Sequence, residues 1–177
     1  MKPFKYFIIL ILIVIPFTGY CQLSAAQKIA GNYEGKKGFT TVNISKSMFK
    51  MLSRIKTTDP EYKEIQKFAT HLEGIKIVIQ EDAKGNTFKN DLSALSKSLL
   101  NNGYEELMSV NEEGNVISFK ALEKNNRISE LVMSIVGEDT VLMIISGNFL
   151  LEELTDITGN INLGGMDKVQ KLKNRKK

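Results

Sequence analysis

The spacing of apolar residues changes at Tyr104 from a helical period to alternation, and this change limits the folds open to the chain. The four segments that follow are typical of strands, and they read YEELMSV, NVISFKAL, RISELVMSIV and TVLMIISG. The links NEEG, EKNN and GED between them are far shorter than the dozen or so residues that a parallel crossover needs. The sequence therefore predicts an antiparallel meander of four strands.

The part of the chain before Tyr104 predicts two more strands and three helices. The strands are FTTVNIS and GIKIVIQED. Ser45 is expected to cap the helix KSMFKMLSRI, Pro60 to open the next helix, and Phe88 to start the apolar stripe of the third. After the meander, LLEELTDIT predicts a last helix. We predict one α+β domain over residues 38–163, a largely antiparallel sheet of about six strands with helices packed mainly on one face.

The flanks of this domain differ from it in composition. Residues 22–37 are predicted to be a polar lead-in, and residues 164–177 a basic mobile tail. The last eleven residues carry six cations and one acid, which leaves residues 22–166 with a net charge of −3. We therefore predict no nucleic-acid partner. The tail has two open interpretations, weak contact with anionic lipid headgroups or a solvated end.

The first 21 residues are typical of a cleaved signal peptide. Lys2 and Lys5 precede an apolar stretch of about a dozen residues, whereas a helix that spans a membrane needs roughly 20. Pro16 near the end of the stretch also disfavours a permanent helical anchor. We therefore predict export to the periplasm or cell envelope.

Cys21 is the only cysteine in the chain. Signal cleavage after Cys21 is predicted, because Gly19 and Cys21 supply the small side chains that signal peptidase prefers, and a cut after Ala26 stays open. Lipid attachment to Cys21 is disfavoured by the bulky Tyr20 before it. Cleavage after residue 21 leaves 156 residues without cysteine, so we predict neither disulfides nor thiol catalysis.

No segment carries a recognisable catalytic or metal-binding signature, and we predict no catalytic residue, metal or cofactor. His71 is expected to be a residue of a helix C-terminus rather than a base. Ser47 and Lys50 form an S-x-x-K, but the other motifs of penicillin-recognising enzymes are absent. A hydrolytic carboxylate pair would have to come from the acids Glu105, Glu106, Glu112, Glu113, Glu152 and Asp156. Glu153 and Asp156, three residues apart on the last predicted helix, are a further conceivable acid pair.

Two other features admit a functional interpretation. Met48 and Met51 on a helix stripe, and Met108, Met133 and Met143 in strands, are predicted to fill the core. Thr140 follows Glu138 and Asp139 at a predicted hairpin turn, and the EDTV sequence is similar to an O-glycosylation signal of exported Bacteroidota proteins. Thr140 is therefore a candidate glycosylation site.

Two blocks of the sequence carry a family resemblance. GFTTVNISKSMFKMLSRI (38–55) followed by LEGIKIVIQED (72–82) resembles the exported Bacteroidota family called domain of unknown function 4252. Members are similar in their leader, in a T-x-V-x-I-S-K-x-M-F block, and in a strand that ends near SGNF. The resemblance spans roughly residues 38–161, implies no activity and transfers no catalytic residue.

Three hypotheses for function follow. The first is a non-enzymatic envelope protein that binds a protein partner or senses the state of the envelope. The second is a small hydrolase or carbohydrate-active enzyme that uses a carboxylate pair. The third is a component of a surface adhesin, which would associate by strand addition. The oligomeric state is not predicted.

Overall fold

The short links after Tyr104 produce the antiparallel meander that the sequence predicts. A computed structural model describes residues 23–81, 85–112, 114–137 and 140–153 of the chain. The elements with assigned bounds are listed here in chain order: α1 (Ala25–Tyr33), β1 (Phe39–Ser45), α2 (Lys46–Leu52), α3 (Pro60–Ala69), β2 (Leu72–Gln80), α4 (Thr87–Asn101), β3 (Glu105–Glu112), β4 (Asn115–Lys124), β5 (Arg127–Val136) and β6 (Thr140–Phe149).

All six strands form one antiparallel sheet in the order β1-β2-β6-β5-β4-β3. The meander pairs consecutive strands, and its last strand then pairs with β2. The link between β4 and β5 shows why these strands turn so tightly. Asn125 and Asn126 have positive φ angles of 54° and 59°, a conformation that asparagine tolerates and that suits a two-residue hairpin turn. The predicted α+β class and six-stranded antiparallel sheet are confirmed.

The first face of the sheet is covered by α1 and α4. Leu92, Leu95 and Leu99 repeat at helical spacing on α4 and are buried. They pack in one cluster with Val78 of β2, Val132 of β5, and Leu142 and Ile144 of β6. The rings of Tyr33, Phe39 and Phe88 meet at centroid distances of 4.5–5.3 Å and join α1, β1 and α4.

Helix α1 corrects the prediction of a polar lead-in over residues 22–37. Ala26, Ala30 and Tyr33 lie at i, i+4 and i+7, and all three are buried in the first-face cluster. Ser24 caps the helix by accepting a hydrogen bond from the backbone N–H of Gln27 (3.1 Å). The segment looks polar because two of its three buried residues are alanines, which give little hydropathy signal. The folded domain thus begins before residue 38.

The second face of the sheet carries α2 and α3. Phe49 of α2 and Ala69 of α3 are buried in a second cluster with Ala121, Leu131 and Phe149. The helices therefore divide between the two faces, whereas the sequence predicts them mainly on one. An apolar stripe shows that a helix packs on a sheet but not which face it covers, so the sequence pattern leaves this division open.

The predicted ends of the chain fall largely outside the described residues. Leu151–Glu153 form a helical turn where the last helix is predicted, and the rest of that helix lies outside the described part. The predicted signal peptide with Cys21, and the predicted tail 164–177, lie outside it as well. None of the helices in the described ranges is both long enough and apolar enough to cross a membrane.

Candidate docking surface

The helices of the second face cover only part of that face. Ile44, Ile75, Ile145 and Leu131 form a row across four neighbouring strands, and this row packs against the cluster under α2 and α3. Two further rows lie beside it on the same face, because side chains two residues apart on a strand point the same way. We call these two rows the open band.

The strand register defines the open band without ambiguity, since each member is the direct cross-strand partner of the next. The first row is Val42, Ile77, Met143, Met133, Phe119 and Met108, from β1 to β3. The second row is Thr40, Ile79, Val141, Ile135, Ile117 and Val110. Eleven of these twelve side chains are apolar, and none is charged.

The side chains of the open band lie against each other but under no described helix. Val42 is 40% exposed, and the other eleven are intermediate between buried and exposed. None belongs to either buried cluster or packs against one. A sheet face that meets water ordinarily alternates with polar residues. Here no such alternation appears within the band, where only Thr40 is polar, so the open band has the composition of a covered surface.

The positions of the methionines contradict the prediction that these residues fill the core. Met48 and Met51 are 49% and 66% exposed on α2, where Phe49 and Leu52 face the sheet instead. Met108, Met133 and Met143 lie in the first row of the open band. A hydrophobic stripe does not show whether its residues are covered by another element of the fold or left uncovered, which is why the sequence pattern missed this surface. Methionine is common on adaptable binding surfaces because its side chain is flexible and polarizable.

The first face holds a group of buried polar side chains. The Tyr104 hydroxyl donates a 2.7 Å hydrogen bond to Glu130, and the hydroxyls of Ser118 and Ser134 lie 3.0 Å apart. Burial and the bond to Glu130 raise the pKa of Tyr104 well above its usual value, although a hydrogen bond with Ser24 acts the other way. Tyr104 therefore stays a neutral donor at ordinary pH, and these groups hold one another in place.

Lys120 is the basic member of this group. It lies opposite Glu106 in the register of β3 and β4, and its Nζ donates a 2.8 Å hydrogen bond to the Glu106 carboxylate. The Lys120 side chain is 2% exposed and that of Glu106 is 42% exposed, so water reaches only the acid. The ammonium thus depends on Glu106 for its charge partner.

This asymmetry gives a stability prediction for the pair. Glu106→Ala should lower the free energy of unfolding by about 2 kcal/mol, because it leaves a buried cation without its partner while nearby water softens the loss. Lys120→Met should change it by less than about 1 kcal/mol, since methionine keeps much of the volume and Glu106 can hydrate. Urea denaturation of both variants measures the difference. Equal losses would contradict the assigned roles.

The acids that the sequence offers for a hydrolytic pair lie apart on the sheet. Glu105, Glu106 and Glu112 are on β3, at the edge of the sheet, whereas Glu152 and Glu153 follow β6, three strands away. Glu106 binds Lys120. Glu113 and Asp156 lie outside the described residues. Within the described ranges, no three His, Cys, Asp or Glu side chains converge in a way that could hold a metal ion.

His71 belongs to a group of polar contacts around Glu153, at the end of β6. Its Nδ1 lies 3.2 Å from Glu153 Oε2, without hydrogen-bond geometry, and Arg127 approaches the same oxygen at 3.7 Å. The same Glu153 oxygen accepts the backbone N–H of Leu150 (2.8 Å). These contacts connect the link between α3 and β2, the start of β5 and the helical turn after β6. The S-x-x-K side chains, Ser47 and Lys50, are exposed on α2.

Thr140 begins β6, directly after the link where the sequence predicts a turn. Its side chain is buried, 1% exposed, and Oγ1 donates a 3.4 Å hydrogen bond to the Gly137 carbonyl. Glycosylation at Thr140 stays a prediction. Because the hydroxyl is buried in the folded chain, a sugar would have to be attached before β6 joins the sheet.

Comparison with known proteins gives one family. The family model described as Domain of unknown function (DUF4252) matches residues 33–157. The match contains β1 to β6 and begins at the last residue of α1. No curated protein and no solved structure is detectably similar to the chain. Since the model matches well over half of the sequence, the chain belongs to the family of domain of unknown function 4252.

Proposed function

We propose that the protein is an exported cell-envelope protein that binds a protein partner through the open band, without catalysis. The observation that supports this most is the open band itself, two cross-strand rows with eleven apolar side chains and no charge. A contiguous apolar patch of this kind is typical of an interaction surface. A role in sensing the envelope would use the same surface, with the bound partner as the signal.

Export rests on the leader. The basic start, the short apolar stretch and the small residues before Gln22 support cleavage after Cys21. The structure adds an argument about the alternative cut after Ala26. That cut would remove Ser24, which caps α1, and the buried Ala26. A mature chain starting at Gln22 keeps both.

The two other hypotheses have less support. For the hydrolase, Glu106 and Glu153 each contact a cation and lie on separated elements, which suits structural ion pairs better than a converging acid and base. For the adhesin, β1 and β3 are the edge strands of the described sheet. The pairing of β3 shifts register between Glu106 and Met108, and such a bulge makes strand addition to an edge less favourable.

Photo-crosslinking in the native host tests the proposal. A photoreactive phenylalanine analogue at Val42 or Met133 should link the protein to one dominant partner, because these side chains lie in the open band. The same analogue at Asn111 or Lys97, which are exposed outside the band, should not give that product. Mass spectrometry of the crosslinked envelope fraction identifies the partner.

Two results would contradict the proposal. Equal products from all four positions would show that the band is not selective, and no product from any position would argue against a bound partner. Recovery of the uncleaved chain in the cytoplasm alone would contradict export. N-terminal sequencing of the same material distinguishes Gln22, Gln27 and an acylated Cys21.

A further inference from the structure

We infer that the open band binds a single amphipathic helix of the partner, lying across the strands beside α2 and presenting basic residues on one flank. This inference rests on the proposed function, because it names the kind of partner that the same surface accepts. Four properties of the band support it, namely its dimensions, its area, its side-chain chemistry and the charges at its border.

The dimensions of the band fit one helix. Six strands give five interstrand spacings, so each row is about 24 Å long, the length of about 16 helical residues. Two rows together are about 14 Å wide, close to the 10–12 Å diameter of a helix with its side chains. The adjacent row of the same face is already covered by helices, since Ile44, Ile75 and Ile145 pack in the cluster of α2 and α3.

The area of the band argues against a second copy of the chain as the occupant. The product of these lengths is roughly 340 Å², whereas a stable protein interface buries about 800 Å² on each partner. Two copies meeting only through their bands would therefore bury less than half of that area. A helix needs less, because a single apolar stripe is buried along its length.

The side chains of the band suit an apolar stripe of variable sequence. Met143, Met133 and Met108 take three of the six positions in the first row, and Phe119 lies between the last two. Methionine adapts its shape to a partner at little cost, and Met48 and Met51 are exposed on the neighbouring helix α2. With no charge in either row, the contacting stripe of the partner must be uncharged.

The border of the band carries negative charge. Glu81 and Glu112 follow Ile79 and Val110 by two residues, so they lie on the same face, alongside the second row and near its two ends. The Thr40 hydroxyl, at one end of that row, donates a hydrogen bond to the Glu81 carboxylate. A bound helix would therefore have its favourable charges, lysine or arginine, on the flank that faces these acids.

A defined helical probe tests the inference. The probe is a fluorescein-labelled 16-residue peptide with leucine and methionine at i, i+3, i+4 and i+7 and with lysine on one flank. Fluorescence anisotropy should show saturable binding to the purified protein. A scrambled peptide of equal composition should bind at least tenfold more weakly, and replacing the flanking lysines by glutamate should weaken binding at least threefold.

Two matched double variants test whether the probe binds at the open band. Met133 and Met143 are direct cross-strand partners, so M133K with M143E introduces an opposite-charge pair that the sheet tolerates but that interrupts the band. This variant should bind the probe at least tenfold more weakly. The control, N111K with V116E, makes the same kind of pair on the first face between exposed residues of β3 and β4, and should bind within twofold of the parent.

The outcomes separate this inference from the proposed function. Equal binding of the ordered and scrambled peptides, or equal loss in both double variants, overturns the helix as occupant. If band-specific crosslinks persist at the same time, the proposed function stands. A dimer in analytical ultracentrifugation that M133K with M143E dissociates would identify a second copy instead. A tenfold gain in probe binding on stopping the chain at residue 163 would identify its own C-terminus.

A second variant keeps the test valid if the double variant does not fold. Val42 lies on the edge strand β1 and is already 40% exposed, so Val42→Asp adds a charge to the band with little effect on the sheet. Its circular dichroism and melting temperature should match the parent. If the folded Val42→Asp protein binds the probe as strongly as the parent does, the inference is overturned.

Discussion

Phe88→Ala should lower the free energy of unfolding by about 3–5 kcal/mol. The ring is buried and contacts Tyr33 and Phe39, with centroid distances of 4.5 and 5.3 Å. Its removal leaves a cavity where α1, β1 and α4 meet, and the cost of that cavity adds to the lost burial of the ring. Guanidinium denaturation, followed by circular dichroism, measures the change.

A matched aromatic substitution shows whether the loss comes from this position. Tyr62 lies on α3 and is 47% exposed, so Tyr62→Ala should cost less than about 1 kcal/mol. If Phe88→Ala were no more destabilising than Tyr62→Ala, the aromatic contact between the first helix and the sheet would not hold the fold together. The comparison also tests whether α1, which was predicted to be a polar lead-in, is part of the folded unit.

Gly147→Ala should destabilise the protein by about 3 kcal/mol, at the upper end of the range for overpacking. A Cβ at this position would collide with the His71 carbonyl oxygen and come within 3.2 Å of Leu72 Cα. Both neighbours are backbone, held by the pairing of Leu72 with Gly147 and by the 2.8 Å hydrogen bond from the Asn148 N–H to the His71 carbonyl. The added methyl must therefore displace the junction of β2 and β6.

Gly31→Ala is the matched control for this prediction. Gly31 lies within α1, and nothing is within 4 Å of the Cβ that alanine would add there. Since alanine favours a helix over glycine by about 1 kcal/mol, Gly31→Ala should stabilise the protein slightly. Thermal melts of both variants should shift in opposite directions. A Gly147→Ala protein as stable as the parent would contradict the close packing at the junction.

The sequence predicts the meander, but it does not predict the close contact between β2 and β6 at Gly147. Short links such as EKNN leave few alternatives to antiparallel pairing, so the strands β3 to β6 follow from the pattern. The strand that ends near SGNF carries part of the family resemblance, but the reason for its glycine is a backbone contact with His71, 76 positions earlier. Contacts at such separations leave no local pattern.

The open band could not be predicted for a related physical reason. The residues of its first row come from six strands, and only the register between strands puts Val42 and Met108 in one line. Each strand alone has the alternation expected of a buried strand, so Met133 and Met143 look like core residues. What distinguishes them is the absence of a described helix above, and this depends on where α2 and α3 end.

The sheet order has a consequence for how the chain acquires its fold. β6 is the last strand in the sequence, yet it lies between β2 and β5 and joins two otherwise separate pieces, β1-β2 and β5-β4-β3. The first piece is only two strands, which is marginal in water by itself. The complete sheet therefore cannot form until residue 149 is available, and nearly the whole domain must be synthesised first. A sheet that closes so late leaves the chain without its complete fold through most of its synthesis, which is compatible with the proposed export of an unfolded chain through a channel.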